Sequence, residues 1–335
     1  MYVAVVGVGS PATNYDLIVD TGSSNTWVGA SKSYTPTSTS QQTSDSVSVT
    51  ESGSTGFSGT EYTDQVTLAS GLVVSGQSIG VASTAKGFKD VDGILGLGPV
   101  DLTVGTLSPD TSSAIPTVVD NLFSQGSIPG HECSVYFEPI TDSSGIQQNG
   151  QITFGGTDSS KFTGEITYAP ITTTSPASNY WGVDASFSYG SGSDSTTILS
   201  ATAGIVDSGT TLLPLATDAF NSFQKATGGV KDSATGLLSI TSQQFGNMKS
   251  LYVTISDTVF ELTPNALIWP RSLNSIIGGT AGSIYLIVTD NGSNSGSGLD
   301  FILGQKFMER FYTVFDTANQ RVGFATTPFT DATSN

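Results

Sequence analysis

The sequence contains a single cysteine, Cys133, and a single histidine, His131. One cysteine excludes a disulfide bond within the chain, and so few His and Cys residues cannot assemble a metal site that needs several of them. A serine triad would have to use His131. The one G-x-S-x-G match, GQSIG at 76–80, lies within a run of strand-forming residues, not at the strand-to-helix turn that such a nucleophile needs. His131 and Cys133 could instead form a catalytic Cys-His pair, because residues two apart on a strand share one face.

Charged residues are also scarce: they make up 12% of the 335 residues, against ~25% in typical soluble domains. Low Lys and Glu content argues against a helical protein. The 28 acidic and 11 basic side chains give a formal charge of −17, which disfavours nucleic acid and anionic membranes as partners. No apolar run reaches the length of a membrane span, and the first residues have no signal-peptide pattern. Few bases also suit a protein that works at acid pH.

Short stretches rich in Val, Ile, Thr, Tyr and Phe recur between Gly, Ser, Asn and Asp residues, which predicts an all-β protein with few short helices. Predicted strands include YVAVVGV, VSVT, EYTDQVTL, CSVYF, QITF, LYVTI, SIYLIV and RVGFATT. Helices are expected over residues 116–125 and 216–226 and, as a short one, from Gln305. The low-complexity tracts at 33–46 and 289–298 are predicted to be surface loops.

An internal duplication organises the chain. The motifs Ile-Val-Asp-Thr-Gly-Ser at 18–23 and Ile-Val-Asp-Ser-Gly-Thr at 205–210 are each followed by Ile-Leu-Gly, at 94–96 and 302–304. Both halves therefore carry the same two landmarks in the same order. This pattern predicts two lobes, residues 1–172 and 173–335, with one site between them.

Each duplicated motif places an aspartate at the end of an apolar strand, on a glycine-containing loop. An approximate twofold axis would bring Asp20 and Asp207 side by side, and two carboxylates about 3 Å apart share one proton. Such a pair can activate a water molecule and polarise a carbonyl group. We expect four nearby hydroxyl groups to support it: Ser23 and Thr210 as donors to the outer carboxylate oxygens, and Thr21 and Ser208 as a link between the loops.

Over essentially its whole length the chain resembles the pepsin-like aspartic endopeptidases. The motifs that carry the resemblance are VDTGSSNTWVG, DGILGLGPVDLT, FGGTDSSKFTGEITYAPI, GIVDSGTTL and DFILGQKFMERFYTVFD. The resemblance implies a bilobal β fold with pseudo-twofold symmetry and a central cleft. It also implies a secreted enzyme that hydrolyses polypeptides between bulky hydrophobic residues at acid pH. A monomer is the default expectation, since the sequence does not indicate an oligomeric state. Such an enzyme needs no metal or cofactor and binds statine-type inhibitors.

The resemblance also implies roles for individual residues. Asp20 and Asp207 match the catalytic pair, and Trp27 matches a tryptophan behind the flap, the hairpin that closes over the substrate. The expected substrate-binding residues are Gly22, Gly209 and Thr211, with Gly53 and Ser54 at the flap tip.

One departure from the family pattern leaves an alternative open. Glu51 stands where the flap tyrosine is expected, and the segment is one residue longer. Loss of the phenol would loosen closure of the flap, so a catalytically weakened peptide-binding protein is the second hypothesis. Glycoside hydrolysis also uses two carboxylates, but at about 5 to 9.5 Å. Asn291 begins the sole glycosylation sequon.

Overall fold

The computed structural model describes residues 1–50, 55–140 and 146–334. The chain forms two compact units. The N-terminal unit is Tyr2–Cys133 with Phe154–Gly156, and the C-terminal unit is Met1, Ser134–Thr153 and Thr157–Asn335. The lobe boundary at 172/173 stays a prediction. Among the described residues, no helix has the length and apolar character needed to cross a membrane.

The N-terminal unit is built on one eight-stranded sheet in the order β1-β2-β7-β3-β6-β5-β4-β8. Its strands are β1 (Val3–Val8), β2 (Thr13–Asp20), β3 (Trp27–Val28), β4 (Gln41–Thr50), β5 (Gly56–Ala69), β6 (Leu72–Lys86), β7 (Gly93–Gly96) and β8 (Leu107–Ser108). β2 lies between β1 and β7, and Leu17 and Val19 are buried there. The apolar run before Asp20 therefore forms an interior strand.

The C-terminal unit contains several smaller sheets. A five-stranded sheet has the order β10-β9-β22-β23-β11, and a second has the order β18-β17-β12-β13-β21. Two short sheets, β14-β20 and β15-β16-β19, complete the described pairings. The strands are β9 (Glu132–Tyr136), β10 (Gln151–Phe154), β11 (Thr163–Pro170), β12 (Gly182–Tyr189), β13 (Thr196–Val206), β14 (Leu213–Leu215), β15 (Val230–Lys231), β16 (Leu238–Ile240), β17 (Leu251–Ile255), β18 (Thr258–Leu262), β19 (Ile284–Tyr285), β20 (Val288–Asp290), β21 (Ile302–Leu303), β22 (Phe311–Asp316) and β23 (Arg321–Thr326).

The helices are short, as predicted. They are α1 (Val118–Ser124), α2 (Thr217–Thr227), α3 (Ser242–Gly246) and α4 (Gln305–Met308). Thr117 and Asp120 form a capping box at the start of α1. Gly228 ends α2 with a φ of 69°, a left-handed conformation that favours glycine. The structure confirms the three predicted helices, and the predicted all-β class, and adds α3.

One predicted loop is partly wrong. The tract at 33–46 was expected to be irregular because it is rich in Ser, Thr and Gln, but Gln41 already begins β4. β4 pairs with β5 on one side and with β8 on the other. Gln41 and Gln42 pair with β5 alone, and this pairing outweighs the weak strand preference of these polar residues.

Candidate active site

The first candidate loop follows β2 in the N-terminal unit. Asp20 is the last residue of β2 and lies opposite Gly96 of the parallel strand β7. Its carboxylate accepts two hydrogen bonds from its own loop: the Gly22 amide donates to Oδ1 at 2.9 Å, and Ser23 Oγ donates to Oδ2 at 2.5 Å. Only 6% of Asp20 is exposed. The carboxylate is thus held by donors within three residues of sequence.

The second candidate loop repeats this arrangement in the C-terminal unit. Asp207 follows β13, and its backbone amide donates to Leu303 O of the parallel strand β21 at 3.1 Å. The Gly209 amide donates to Asp207 Oδ1 at 2.7 Å, and Thr210 Oγ1 donates to Oδ2 at 2.5 Å. Ser23 and Thr210 therefore make the contacts that the sequence predicted for them.

Glycines opposite the two aspartates allow the loops to pass close by. A Cβ atom on Gly96 would lie 2.4 Å from the Ser24 carbonyl carbon, and one on Gly304 would lie 2.1 Å from Leu212 O. Contacts this short with backbone atoms cannot be relieved by moving a side chain. The glycine of each Ile-Leu-Gly motif is therefore required for the loop beside it.

The remaining predicted residues of the two loops differ in exposure. Thr21 and Ser208 are fully buried, Gly22 and Thr211 are half-buried, and Gly209 is exposed. The link that Thr21 and Ser208 were expected to form between the loops stays a prediction, as do the substrate-binding roles of Gly22, Gly209 and Thr211.

Trp27 lies in an aromatic cluster of the N-terminal unit. Its ring stacks on Phe57 with centroids 4.3 Å apart, and Phe88 meets it edge-on at 4.8 Å. Trp27 is 2% exposed, so it forms part of the core beneath the start of β5. The predicted flap residues Gly53 and Ser54, together with Glu51, lie outside the described residues.

The sequence interpretation did not single out Gln305 as a site residue. It is the first residue of α4 and is 1% exposed. Its Nε2 donates to Ser208 O at 2.7 Å, and its backbone amide donates to Thr210 O at 2.8 Å. The sequence did contain one signal for Gln305: it directly follows an Ile-Leu-Gly motif. The glycine of the other such motif, Gly96, lies opposite Asp20.

The geometry does not support a cysteine nucleophile. Cys133 is 1% exposed, and burial raises the pKa of its thiol to about 12, far from the thiolate that such chemistry needs. His131 Nε2 instead lies 2.7 Å from Asp120 Oδ1, and its ring stacks on Phe123. Within the parts of the chain that the structure describes, no three His, Cys, Asp or Glu side chains cluster as metal ligands.

Comparisons with known proteins agree with the duplicated loops. The sequence matches the family described as eukaryotic aspartyl protease over residues 1–327. It is 65% identical to polyporopepsin of Irpex lacteus over 334 residues, which cover 100% of this chain and 96% of that protein. It is 30% identical to gastricsin of Cavia porcellus over 344 residues, covering 97% of this chain and 80% of that protein.

A solved structure is similar as well. The crystal structure of aspartic proteinase from Irpex lacteus matches with a TM-score of 0.96 and 64% identity, over 99% of this chain and 96% of that chain. This match confirms the predicted pepsin-like fold.

Proposed function

The chain belongs to the eukaryotic aspartyl protease family, and from this premise we propose that it is an acid endopeptidase in which Asp20 and Asp207 together activate water. The observation that carries the proposal is the repeated loop. Each aspartate accepts a backbone amide on one oxygen and a hydroxyl group on the other. Donors fixed in this way aim each carboxylate before any substrate arrives.

In the proposed mechanism the two carboxylates share one proton. The ionised member removes a proton from water, and the resulting hydroxide attacks the carbonyl carbon of the peptide bond. The protonated member donates to the carbonyl oxygen, which gives a neutral tetrahedral diol. The carboxyl group that took the water proton then gives it to the amide nitrogen, while the other carboxylate takes a proton from a diol hydroxyl group. The C–N bond breaks as a C=O bond forms, which releases an amine and a carboxylic acid and leaves one proton shared by the pair.

The substrates that we propose are unfolded or flexible polypeptides cut between bulky hydrophobic residues. Polyporopepsin and gastricsin, which are similar over nearly all of this chain, support a peptidase over a binding protein that has lost turnover. We also propose that the protein is secreted, acts as a monomer and binds statine-type inhibitors.

Replacing each aspartate tests the proposal. In Asp20→Asn and Asp207→Asn the amide can orient its oxygen toward the glycine amide and its NH₂ toward the hydroxyl oxygen, so the fold should persist. Cleavage of a denatured protein at about pH 4 should fall at least ~10³-fold in each variant, because a neutral amide is neither the base nor the acid. Circular dichroism of both variants checks folding. Wild-type cleavage rates in either folded variant would refute the mechanism.

A further inference from the structure

We propose that Gln305 is a positioning residue for the loop that carries Asp207, an inference that rests on the proposed function. Gln305 begins α4 immediately after the Ile-Leu-Gly motif and is almost completely buried. Neither the duplicated motif nor the family match assigns it a role. Three observations support the inference: the hydrogen bonds of Gln305, its buried Oε1 atom that destabilises the fold, and the leucine found at the matching position of the N-terminal unit.

The contacts of Gln305 reach both sides of the loop glycine. Nε2 donates to Ser208 O at 2.7 Å and the backbone amide donates to Thr210 O at 2.8 Å. Ser208 and Thr210 flank Gly209, and Gly209 and Thr210 supply the two hydrogen bonds to the Asp207 carboxylate. One residue of α4 therefore fixes the peptide groups from which those donors project.

The orientation of the Gln305 amide follows from its surroundings. Turning the amide over would place Oε1 against the carbonyl oxygen of Ser208, and two acceptors repel each other. Nε2 must face Ser208, which leaves Oε1 buried without a hydrogen-bond partner among the described residues. A buried carbonyl group without a partner destabilises the folded state. Folding stability alone does not account for glutamine here.

The N-terminal unit has a different residue at the position that matches Gln305. Gly96 lies opposite Asp20 in the β2–β7 pair, as Gly304 does beside Asp207, and the residue that follows Gly96 is Leu97. Leu97 is 2% exposed and holds its loop through the backbone, since its amide donates to Asp20 O at 2.7 Å. A leucine thus fits after the glycine in the same motif, whereas Gln305 adds a side-chain contact.

The loss of that contact should affect catalysis more than binding. Without Nε2 the Ser208 peptide can rotate, and the Gly209 amide and Thr210 hydroxyl turn with it. The Asp207 carboxylate would then be misaligned with the attacking water, although substrate contacts made elsewhere would persist. The expected signature is a lower kcat with little change in KM.

The first test compares Gln305→Leu with Asn274→Leu. Asn274 is the matched control because it is also a buried amide, 2% exposed, whose Nδ2 donates to backbone carbonyls while its Oδ1 lacks a partner among the described residues. Its partners, Thr280 and Ser283, lie in a segment without site residues. Gln305→Leu should lower kcat per folded molecule by about 10- to 100-fold with KM within about threefold. Asn274→Leu should change kcat by less than about twofold.

The second test uses Gln305→Glu, which changes the donor with pH. A protonated carboxyl group can donate to Ser208 O as the amide does, but an ionised one places negative charge against that carbonyl. The kcat profile of this variant should match the wild type at the lowest pH and fall as the new group ionises. The profile of Asn274→Asp should keep the wild-type shape. A purely structural role for Gln305 would not add a titration step to kcat.

Two results would overturn the inference: wild-type kcat in folded Gln305→Leu, or a wild-type pH profile in Gln305→Glu. If Gln305→Leu does not fold, the profile of Gln305→Glu decides. If neither variant folds while both Asn274 variants do, Gln305 is purely structural. The proposed function fails separately, because in that case the wild-type protein itself would not cleave polypeptides.

Discussion

The loops Asp20–Ser23 and Asp207–Thr210 hold their carboxylates with the same types of donor but are supported differently. In both loops the donors to the carboxylate are the backbone amide of the second residue after the aspartate and the side-chain hydroxyl group of the third. Behind the first loop the residues that follow β7 contribute backbone bonds, from the Leu97 amide to Asp20 O and from the Gly98 amide to Ser23 O. Behind the second loop a helix begins, and the Gln305 side chain joins the backbone bonds.

The contacts that are common to both loops are those to the carboxylates, and the contacts that differ lie behind the loops. Both carboxylates accept one amide and one hydroxyl donor from their own loop. The segments behind the loops differ, because residues 97–99 are irregular whereas α4 begins directly after Gly304. Paired substitutions in the two loops should therefore have similar effects at the carboxylates and different effects behind them.

The largest effect is expected at the glycines that face the aspartates. Gly96→Ala and Gly304→Ala should each destabilise the protein by about 3 kcal/mol, because the new methyl group meets backbone atoms at 2.4 and 2.1 Å. Thermal unfolding measures the loss. Gly246→Ala is the control, since no atom lies within 4 Å of its added Cβ. Equal unfolding temperatures for all three variants would contradict this explanation.

A smaller difference is expected between Asp92 and Asp300, which precede the two Ile-Leu-Gly motifs. Asp300 is fully buried; burial opposes its charge, but hydrogen bonds from Gly296, Thr202 and Ser297 outweigh this and hold its pKa below the ordinary value. Asp92 is half-buried, and its Oδ2 accepts a hydrogen bond from the Asp16 amide at 2.9 Å. Asp300→Asn should lower the free energy of unfolding by about 2 kcal/mol near neutral pH, and Asp92→Asn by less than about 1.

The pH dependence of this effect has a definite sign. A carboxylate with a lowered pKa in the folded state stabilises the protein above its unfolded pKa, and this stabilisation is lost as pH falls through the folded value. The difference in Tm between wild type and Asp300→Asn should therefore shrink as pH is lowered from about 5 to about 2. A difference that stays constant over this range would contradict the role of the charge.

The smallest effect is expected from the hydroxyl groups on the outer carboxylate oxygens. Ser23→Ala and Thr210→Val should each lower kcat/KM by about tenfold, because each removes one hydrogen bond to a charged group. Steady-state kinetics on a peptide substrate gives the ratio. The exchanges Ser23→Thr and Thr210→Ser keep the hydroxyl group and should retain most of the activity; a tenfold loss in these variants would show that shape, not hydrogen bonding, matters there.

The sequence predicted the parts of the site that depend on local order. Asp20 with Ser23, and Asp207 with Thr210, are three residues apart, so each turn brings its own donor to the carboxylate. The helix predicted over residues 216–226 was also found from local signals and is confirmed as α2. α3 was not predicted, although Thr241 and Gln244 form a capping box at its start.

Contacts between residues distant in sequence could not be predicted in this way. Gln305 and Ser208 are 97 residues apart, and the periodicity of neither segment indicates that their atoms meet. The start of β4 at Gln41 depends on pairing with β5, whereas the composition of the segment favours a loop. His131 and Asp120 come together because a capped helix presents the carboxylate to the next strand.

The short reach of the donors to Asp20 has a consequence for engineering. The facing glycine, the aspartate that ends its strand and the three residues that follow it contain both loop donors to the Asp20 carboxylate. Such a segment could be transplanted as a unit into another parallel sheet. The recipient would need a glycine at the facing position, but no redesign of its distant core.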